Sequence, residues 1–158
     1  MVEACLKDAA KASKHGVAVM VRDGPWMADR RLFLANRFTP VDTAPPDYEL
    51  LVRKFNDSAP NPAFKRDWDR KVAQHGRGLT LIHCGQCPHG TKFVKEIIET
   101  AKSEYGIKPR VIDLRSPRDA QNVPNPYGVF ALIRDGTLLA DHPISRTRFR
   151  NIMRQSER

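Results

Sequence analysis

A proline-containing break in the middle of the chain is the feature that most constrains its fold. Residues 57–62, with the sequence DSAPNP, contain two prolines and no apolar periodicity, which predicts a linker. A chain of 158 residues allows one ordinary domain or two small ones, and the linker favours two. A hydrophobic share of 41% argues against wholesale disorder. We therefore expect a first domain over residues 1–56, a linker with a short helix over 57–76, and a second domain over 77–158.

Apolar spacing before the linker predicts the order helix, strand, helix, strand, strand. Residues 1–14 have apolar side chains on one helical face, and we expect Cys5 to be packed on that face. The run VAVMV at residues 17–21 is apolar throughout, which is typical of a strand buried on both faces. The remaining helix and the two strands are predicted at residues 27–36, 38–41 and 48–55. This half is therefore predicted to be a three-stranded α/β unit.

After the linker, the pattern predicts the order strand, helix, strand, helix, strand, strand, helix. The spans are residues 79–82, 88–105, 110–114, 117–123, 129–133, 137–140 and 145–153. The dipeptide Asp135-Gly136 lies between the last two strands and predicts a hairpin turn. Both halves mix helices with strands, so the fold class is α/β.

Cysteine number and hydropathy bear on the compartment. Three cysteines are an odd and small number, which excludes a disulfide-stapled secreted scaffold. No apolar run approaches the ~20 residues that a membrane-spanning helix requires. The N-terminal stretch MVEACLKDAAKASKHG lacks the apolar core of a secretory signal. We therefore expect a cytoplasmic protein with no membrane partner.

The chain is basic, which raises the question of a nucleic-acid partner. Its 27 Lys and Arg against 18 Asp and Glu give a formal net charge of +9. Positive charge is densest near the C-terminus, at Arg146, Arg148, Arg150, Arg154 and Arg158. Arginines at this density can bind phosphates, but no nucleic-acid motif and no interleaved aromatic platform accompany them. We interpret the cluster as the solvated face of a terminal helix and expect no nucleic-acid partner.

The sequence Cys84-Gly85-Gln86-Cys87 is the clearest chemical signal in the chain. It lies where a predicted strand passes into a predicted helix, whose unpaired N–H groups and dipole stabilise a thiolate. The C-x-x-C spacing lets the second thiol resolve a mixed disulfide formed by the first. Cys84 would then be the exposed nucleophile and Cys87 its partner. The order of elements around them is that of thioredoxin, so the motif predicts thiol–disulfide exchange.

Two further features keep alternatives open. A thioredoxin-like fold places a cis-proline before its third strand, where this chain has Gly128, and His83 replaces the usual aromatic residue before the first cysteine. The second domain could therefore be a non-catalytic binding module. His83 and His89 flank the cysteines, which makes a metal site a third hypothesis. Structural zinc sites need four ligands at defined spacing and no second pair is present, so we expect no metal.

Two stretches resemble known families. Residues 1–55 resemble the C-terminal half of a GNAT-family (GCN5-related) N-acetyltransferase. Residues 78–145 resemble the YoaP-like, thioredoxin-like domain that follows such acetyltransferases in some bacterial and archaeal proteins. The markers in the second stretch are Gln86-Cys87-Pro88, the run AQNVPNPYG at residues 120–128, and Asp135-Gly136-x-Leu138. Together the stretches cover nearly the whole chain, in the order of that two-domain arrangement.

The resemblance implies acetyl transfer from acetyl-CoA to an amine of a small molecule or peptide. In the family, acetyl-CoA binds in a gap between two splayed parallel strands, and a Gly-rich loop holds its pyrophosphate at a helix N-terminus. Residues 1–14 would be that helix and residues 17–21 the second strand of the gap. The first strand and the loop would lie ahead of Met1, so we expect an N-terminally truncated form that does not catalyse the transfer alone. Its open strand edge would permit self-association.

The resemblance also suggests two residues for the acetyl-CoA wall. On the helix after the second strand of the gap, many members carry an Asn and a Tyr, and the Tyr protonates the departing CoA thiolate. Trp26 and Phe33 stand at those positions here, and Phe33 has no hydroxyl. We expect both side chains to serve mainly in packing, while lining the acetyl-CoA wall remains their alternative role.

Overall fold

The computed structural model divides the chain into two compact units, Met1–Lys65 and Arg66–Arg158. It describes residues 1–24, 27–86 and 88–156. The division falls inside the predicted linker segment. Each unit has its own sheet and its own helices, so the predicted α/β class is confirmed. No helix in the described ranges is both long and apolar enough to cross a membrane.

The first unit is a three-stranded antiparallel sheet with two helices. Its elements are α1 (Val2–Lys11), β1 (Gly16–Val21), α2 (Arg30–Ala35), β2 (Thr39–Ala44) and β3 (Tyr48–Lys54). The strands lie in the order β1-β3-β2, so β3 is central and β1 lies at one end. The predicted order of elements is confirmed, because apolar periodicity and turn residues are local signals.

The core of the first unit lies between the sheet and its helices. Val21, Phe38 and Leu51 are buried together, and Val2 and Leu6 of α1 pack against them. The prediction that β1 is buried on both faces is wrong, because β1 lies at one end of the sheet and Ala18 is exposed.

The packed position expected for Cys5 is also wrong. Its side chain is exposed, and the residues of α1 that pack against the core are Val2 and Leu6. Position 5 lies about 60° around the helix from Val2 and about 100° from Leu6, which puts Cys5 at the border of the face that meets the core.

The second unit is a four-stranded sheet with helices on both faces. Its elements are α3 (Trp68–Ala73), β4 (Leu79–Cys84), α4 (Pro88–Tyr105), β5 (Arg110–Leu114), α5 (Pro117–Gln121), β6 (Phe130–Arg134), β7 (Thr137–Ala140) and α6 (Arg146–Ser156). The strand order is β5-β4-β6-β7, with β4 parallel to β5 and the other neighbours antiparallel. One face packs against α4 and α6 through residues such as Ile97 and Phe149, and the other includes Val72 of α3.

The hairpin between β6 and β7 follows the predicted turn. Asp135 and Gly136 have φ angles of 51° and 75°, as a two-residue turn that matches strand twist requires. Asp135 also accepts a hydrogen bond from the Gly78 amide, at 2.8 Å, and its own amide donates to the Gly78 carbonyl. The turn is therefore tied to the segment that leads into β4.

Part of the C-terminal positive charge is neutralised inside the second unit. Arg146 contacts Glu99 of α4 at 3.2 Å, and the Arg150 Nε donates to Glu104 at 2.9 Å. The Arg150 guanidinium holds the pKa of the Glu104 carboxyl below its ordinary value. These arginines therefore tie α6 to α4.

The stability of the second unit is expected to depend on pH through His75. Arg110 can only donate, so its bond of 2.8 Å to the His75 Nδ1 requires a neutral ring that accepts. Burial and the Arg110 charge lower the pKa of His75 from its ordinary 6.5. As pH falls below about 6.5, the unfolded chain takes up a proton that the folded unit refuses, so stability falls until the folded pKa is passed. The melting temperature should drop over this range.

The variant His75→Gln should flatten this part of the pH profile, and His89→Gln should leave it as in the wild type. The carboxylates whose pKa values are lowered titrate at lower pH, and the difference between the wild type and His75→Gln in this window reports on the His75 imidazole. An equal slope in the wild type and His75→Gln would show that the imidazole does not carry the effect.

Candidate functional site

Cys84 is the last residue of β4, at the carboxyl edge of the four-stranded sheet. Its backbone N–H donates to the carbonyl of Val129 at 3.1 Å, just before β6 begins. The thiol is free and half-buried, and Gly85 and Gln86 form an exposed turn after it. Helix α4 begins at Pro88, so the strand-to-helix position predicted for Cys84 is confirmed. The predicted partner, Cys87, lies outside the described residues.

The segment that approaches β6 is held beside Cys84 by Asn125. This side chain is 5% exposed; its Nδ2 donates to the Phe130 carbonyl at 2.7 Å, and its Oδ1 accepts from the Gly128 amide at 3.0 Å. Gly128, which stands where a cis-proline was expected, has a φ of 74°. A buried amide is stable only when such bonds are made, so Asn125 fixes the loop. Sequence reasoning missed it, although an Asn between two prolines was a visible signal.

The two histidines beside the cysteines differ in their surroundings. The Nδ1 of His83 is buried with no hydrogen-bond partner among the described residues, while His89 is exposed in the first turn of α4. Within residues 1–24, 27–86 and 88–156, no group of three or more His, Cys, Asp or Glu side chains is arranged to hold a metal ion. The described part of the site therefore offers a thiol and imidazoles but no metal-binding cluster.

A polar cluster lies at the carboxyl end of β1 in the first unit. Arg22 contacts Asp47 at 2.6 Å, donates to the hydroxyl of Tyr48 at 3.1 Å, and lies 4.9 Å from the centre of the Tyr48 ring. Arg30 at the start of α2 contacts Glu49 at 3.1 Å. Sequence reasoning missed this cluster, because its members come from three separate elements.

The predicted acetyl-CoA wall is only partly described. Trp26 lies outside the described residues. Phe33 is half-buried on α2, packs against the core of the first unit, and makes an edge-to-face contact with Phe38 at 5.5 Å between ring centres. This geometry is that of a packing residue. A contact between Phe33 and acetyl-CoA stays a prediction.

The outer edge of β1 is open within the described part of the first unit. Residues 16–21 pair with β3 along their whole length, and no other strand of this sheet lies beyond β1. Gly16 lies so close to β3 that an added Cβ would be 2.6 Å from the Arg53 carbonyl oxygen. Strand β3 therefore pairs closely with one side of β1, and no described strand pairs with the other side.

Similarity to a known protein extends across both units. The chain is 24% identical over 155 residues to "Uncharacterized N-acetyltransferase YoaP" of Bacillus subtilis (strain 168). The alignment covers 97% of this chain, which spans 61% of the relative's length. No family model and no solved structure matches the chain. The chain is thus a distant relative, over nearly all of its length, of a protein named as an N-acetyltransferase.

Proposed function

We propose that this chain is part of a GNAT-type N-acetyltransferase, which transfers an acetyl group from acetyl-CoA to an amine of a small molecule or peptide. The similarity to the Bacillus subtilis N-acetyltransferase over 97% of the chain carries this proposal. In this assignment residues 1–56 are the C-terminal half of the acetyltransferase domain. Residues 77–158 are a YoaP-like, thioredoxin-like domain that follows it.

The first unit supports the assignment through the order and position of its elements. Helix α1 leads into β1, and β1 lies at the end of the sheet with one side open, as the second strand of a coenzyme gap would. The polar cluster of Arg22 and Tyr48 lies at the carboxyl end of this strand. In this assignment residues 1–56 provide one side of the coenzyme gap, and the family's Gly-rich loop, which holds the pyrophosphate, is a separate segment.

The 158 residues by themselves are expected not to bind acetyl-CoA at micromolar concentrations, because the assignment gives them one side of the gap and does not include the Gly-rich loop among them. A fusion that places the first strand of the gap and the Gly-rich loop of a GNAT-type domain ahead of residue 1 is expected to bind, with free coenzyme A as competitor. Isothermal titration calorimetry measures both. Micromolar binding by the 158-residue chain would contradict the assignment of these residues to only one side of the coenzyme gap. A folded fusion that fails to bind would contradict the acetyltransferase proposal.

A second function, thiol–disulfide exchange, is favoured by the position of Cys84. The half-buried thiol lies at the end of β4, next to the start of α4 and beside the loop held by Asn125. The strand order β5-β4-β6-β7, with β4 parallel to β5, supports a thioredoxin-like unit. We propose that Cys84 attacks a disulfide of a partner and that Cys87 resolves the mixed disulfide.

Reduction of insulin disulfides by the dithiol form of the chain tests this second function. Activity is expected in the wild type and should be lost in Cys84→Ser, whereas Cys5→Ser should retain it. Cys5 is a suitable control because it is an exposed thiol on the other unit. Absence of exchange by the folded wild type would reject the function and leave the binding-module hypothesis.

A further inference from the structure

One buried amide holds the segment that enters β6 at two points. Asn125 is 5% exposed, its Nδ2 donates to the Phe130 carbonyl at 2.7 Å, and its Oδ1 accepts from the Gly128 amide at 3.0 Å. Gly128 and Phe130 are the neighbours of Val129 along the chain. The two bonds therefore fix the backbone on both sides of Val129.

Val129 is also the residue to which the backbone of Cys84 is bonded. The Cys84 N–H donates to the Val129 carbonyl at 3.1 Å. This bond continues the antiparallel pairing of β4 with β6, in which His83 lies opposite Phe130. Hydrogen bonds and three consecutive residues thus connect the Asn125 amide to Cys84, so the place of Cys84 at the sheet edge depends on Asn125.

The backbone around Asn125 has few alternative conformations. Pro124 and Pro126 stand on either side of it, and each proline ring fixes its own φ angle. A residue that precedes a proline is restricted to extended backbone, which applies to Asn125. Gly128 has a φ of 74°, which glycine adopts without strain. The loop is therefore suited to hold Val129 in one position.

Another polar group at this edge is separated from Cys84 by a strand. The Asp141–His142 pair follows β7, with 2.7 Å between the Asp141 Oδ1 and the His142 Nδ1. Strand β6 lies between β7 and β4. Asn125 differs from this pair because it is bonded to the segment that holds Cys84.

We propose that Asn125 is a positioning residue for thiol–disulfide exchange at Cys84, acting through the Val129 carbonyl. This inference rests on the second proposed function and deepens it. The Cys84 thiol loses its proton to water, its sulfur bonds to one sulfur of a partner disulfide, that S–S bond breaks, and the departing sulfur takes up a proton. Cys84 is oxidised and the departing sulfur is reduced. Because reacting atoms must be aligned, the rate depends on how closely Cys84 is held.

Single-turnover reduction of insulin by the pre-reduced chain tests the inference. A range of insulin concentrations gives a limiting rate and a half-saturating concentration. Asn125→Ala is expected to lower the limiting rate by about tenfold and to keep the half-saturating concentration within about twofold, because a buried side chain positions the thiol without binding the partner. Gly128→Ala strains the backbone next to Val129 and should act in the same direction.

Leu79→Ala is the control for a general loss of stability. Leu79 is 3% exposed and lies at the other end of β4, opposite Arg134. This variant should destabilise the same unit and leave the limiting rate unchanged, under conditions in which circular dichroism shows every variant to be folded.

Hydrogen exchange of the Cys84 amide, measured by NMR, provides a second readout that needs no disulfide. An amide at a sheet edge exchanges by local opening, so Asn125→Ala should accelerate the exchange by about tenfold. Leu79→Ala should leave it within about twofold of the wild type, because that substitution does not act at this edge.

The outcomes separate the inference from the function on which it rests. A wild-type limiting rate in folded Asn125→Ala would overturn the inference and leave the exchange function standing, whatever the amide exchange shows. Equal losses of rate in Asn125→Ala and Leu79→Ala would overturn it too, because they would reflect stability alone. A folded wild type that reduces no insulin would reject the function and the inference together. If Asn125→Ala does not fold, Gly128→Ala decides by the same measurements.

Discussion

Phe149→Ala is expected to lower the free energy of unfolding of the second unit by about 3–5 kcal/mol. Phe149 is 0% exposed, and its ring meets Tyr105 edge-to-face at 5.9 Å between ring centres. Its side chain extends from α6 into the larger of the two hydrophobic clusters of that unit, where residues of α4 and of the sheet surround it. Removing the ring forfeits its burial and leaves a cavity that a rigid helix–sheet layer fills poorly.

Urea unfolding followed by fluorescence of Trp68, which lies in the second unit, measures this change. Val111→Ala provides the matched control, because Val111 is a large apolar residue of the same sheet that is 42% exposed. Its effect should stay within about 0.5 kcal/mol. A Phe149→Ala variant as stable as Val111→Ala would show that α6 does not pack as described.

Gly16→Ala should lower the free energy of unfolding of the first unit by about 1–3 kcal/mol. A Cβ at this position would lie 2.6 Å from the carbonyl oxygen of Arg53 and 3.0 Å from the Cα of Lys54. Both are backbone atoms of β3, so the contact is relieved only if the two strands move apart. Because Gly16 is paired with Lys54 at the start of β1, the substitution weakens the strand that lies at the proposed coenzyme gap.

Gly85→Ala is the control for this variant. Gly85 has nothing within 4 Å of an added Cβ, and its backbone does not require a glycine. We expect its effect on stability to stay within about 0.5 kcal/mol. Equal stabilities of Gly16→Ala and Gly85→Ala would contradict the close approach of β1 to β3, and chemical unfolding curves of both variants decide between the outcomes.

The sequence predicted helices, strands and turns well, and it predicted which of their faces are buried less well. The hairpin at Asp135 and Gly136 could be predicted because turn geometry depends on two adjacent residues. Burial of β1 on both faces was a wrong prediction, since a continuous apolar run is shared by central strands and by strands at a sheet end. Cys5 was placed on the apolar face of its helix, but it lies about 100° around the helix from Leu6, at the border of that face, where it is exposed.

The candidate site was predicted only in part, because a sequence pattern shows which residues are neighbours along the chain and not which are neighbours in space. The strand-to-helix position of Cys84 follows from the pattern around it. The role of Asn125 depends on its burial and on bonds to residues three and five positions away. The approach of His142 to the same edge depends on the pairing of β4, β6 and β7. No local pattern encodes that pairing.

The sequence by itself determined the type and order of the helices and strands, the turn chemistry, and the C-x-x-C motif that begins at the end of β4. These depend on side-chain periodicity and backbone preferences, which act over a few residues. Only the tertiary structure decided that Cys84, Asn125 and the Asp141–His142 pair lie at one edge of the second sheet. Strand order and register arise from packing between segments far apart in the chain, and burial of whole faces selects them.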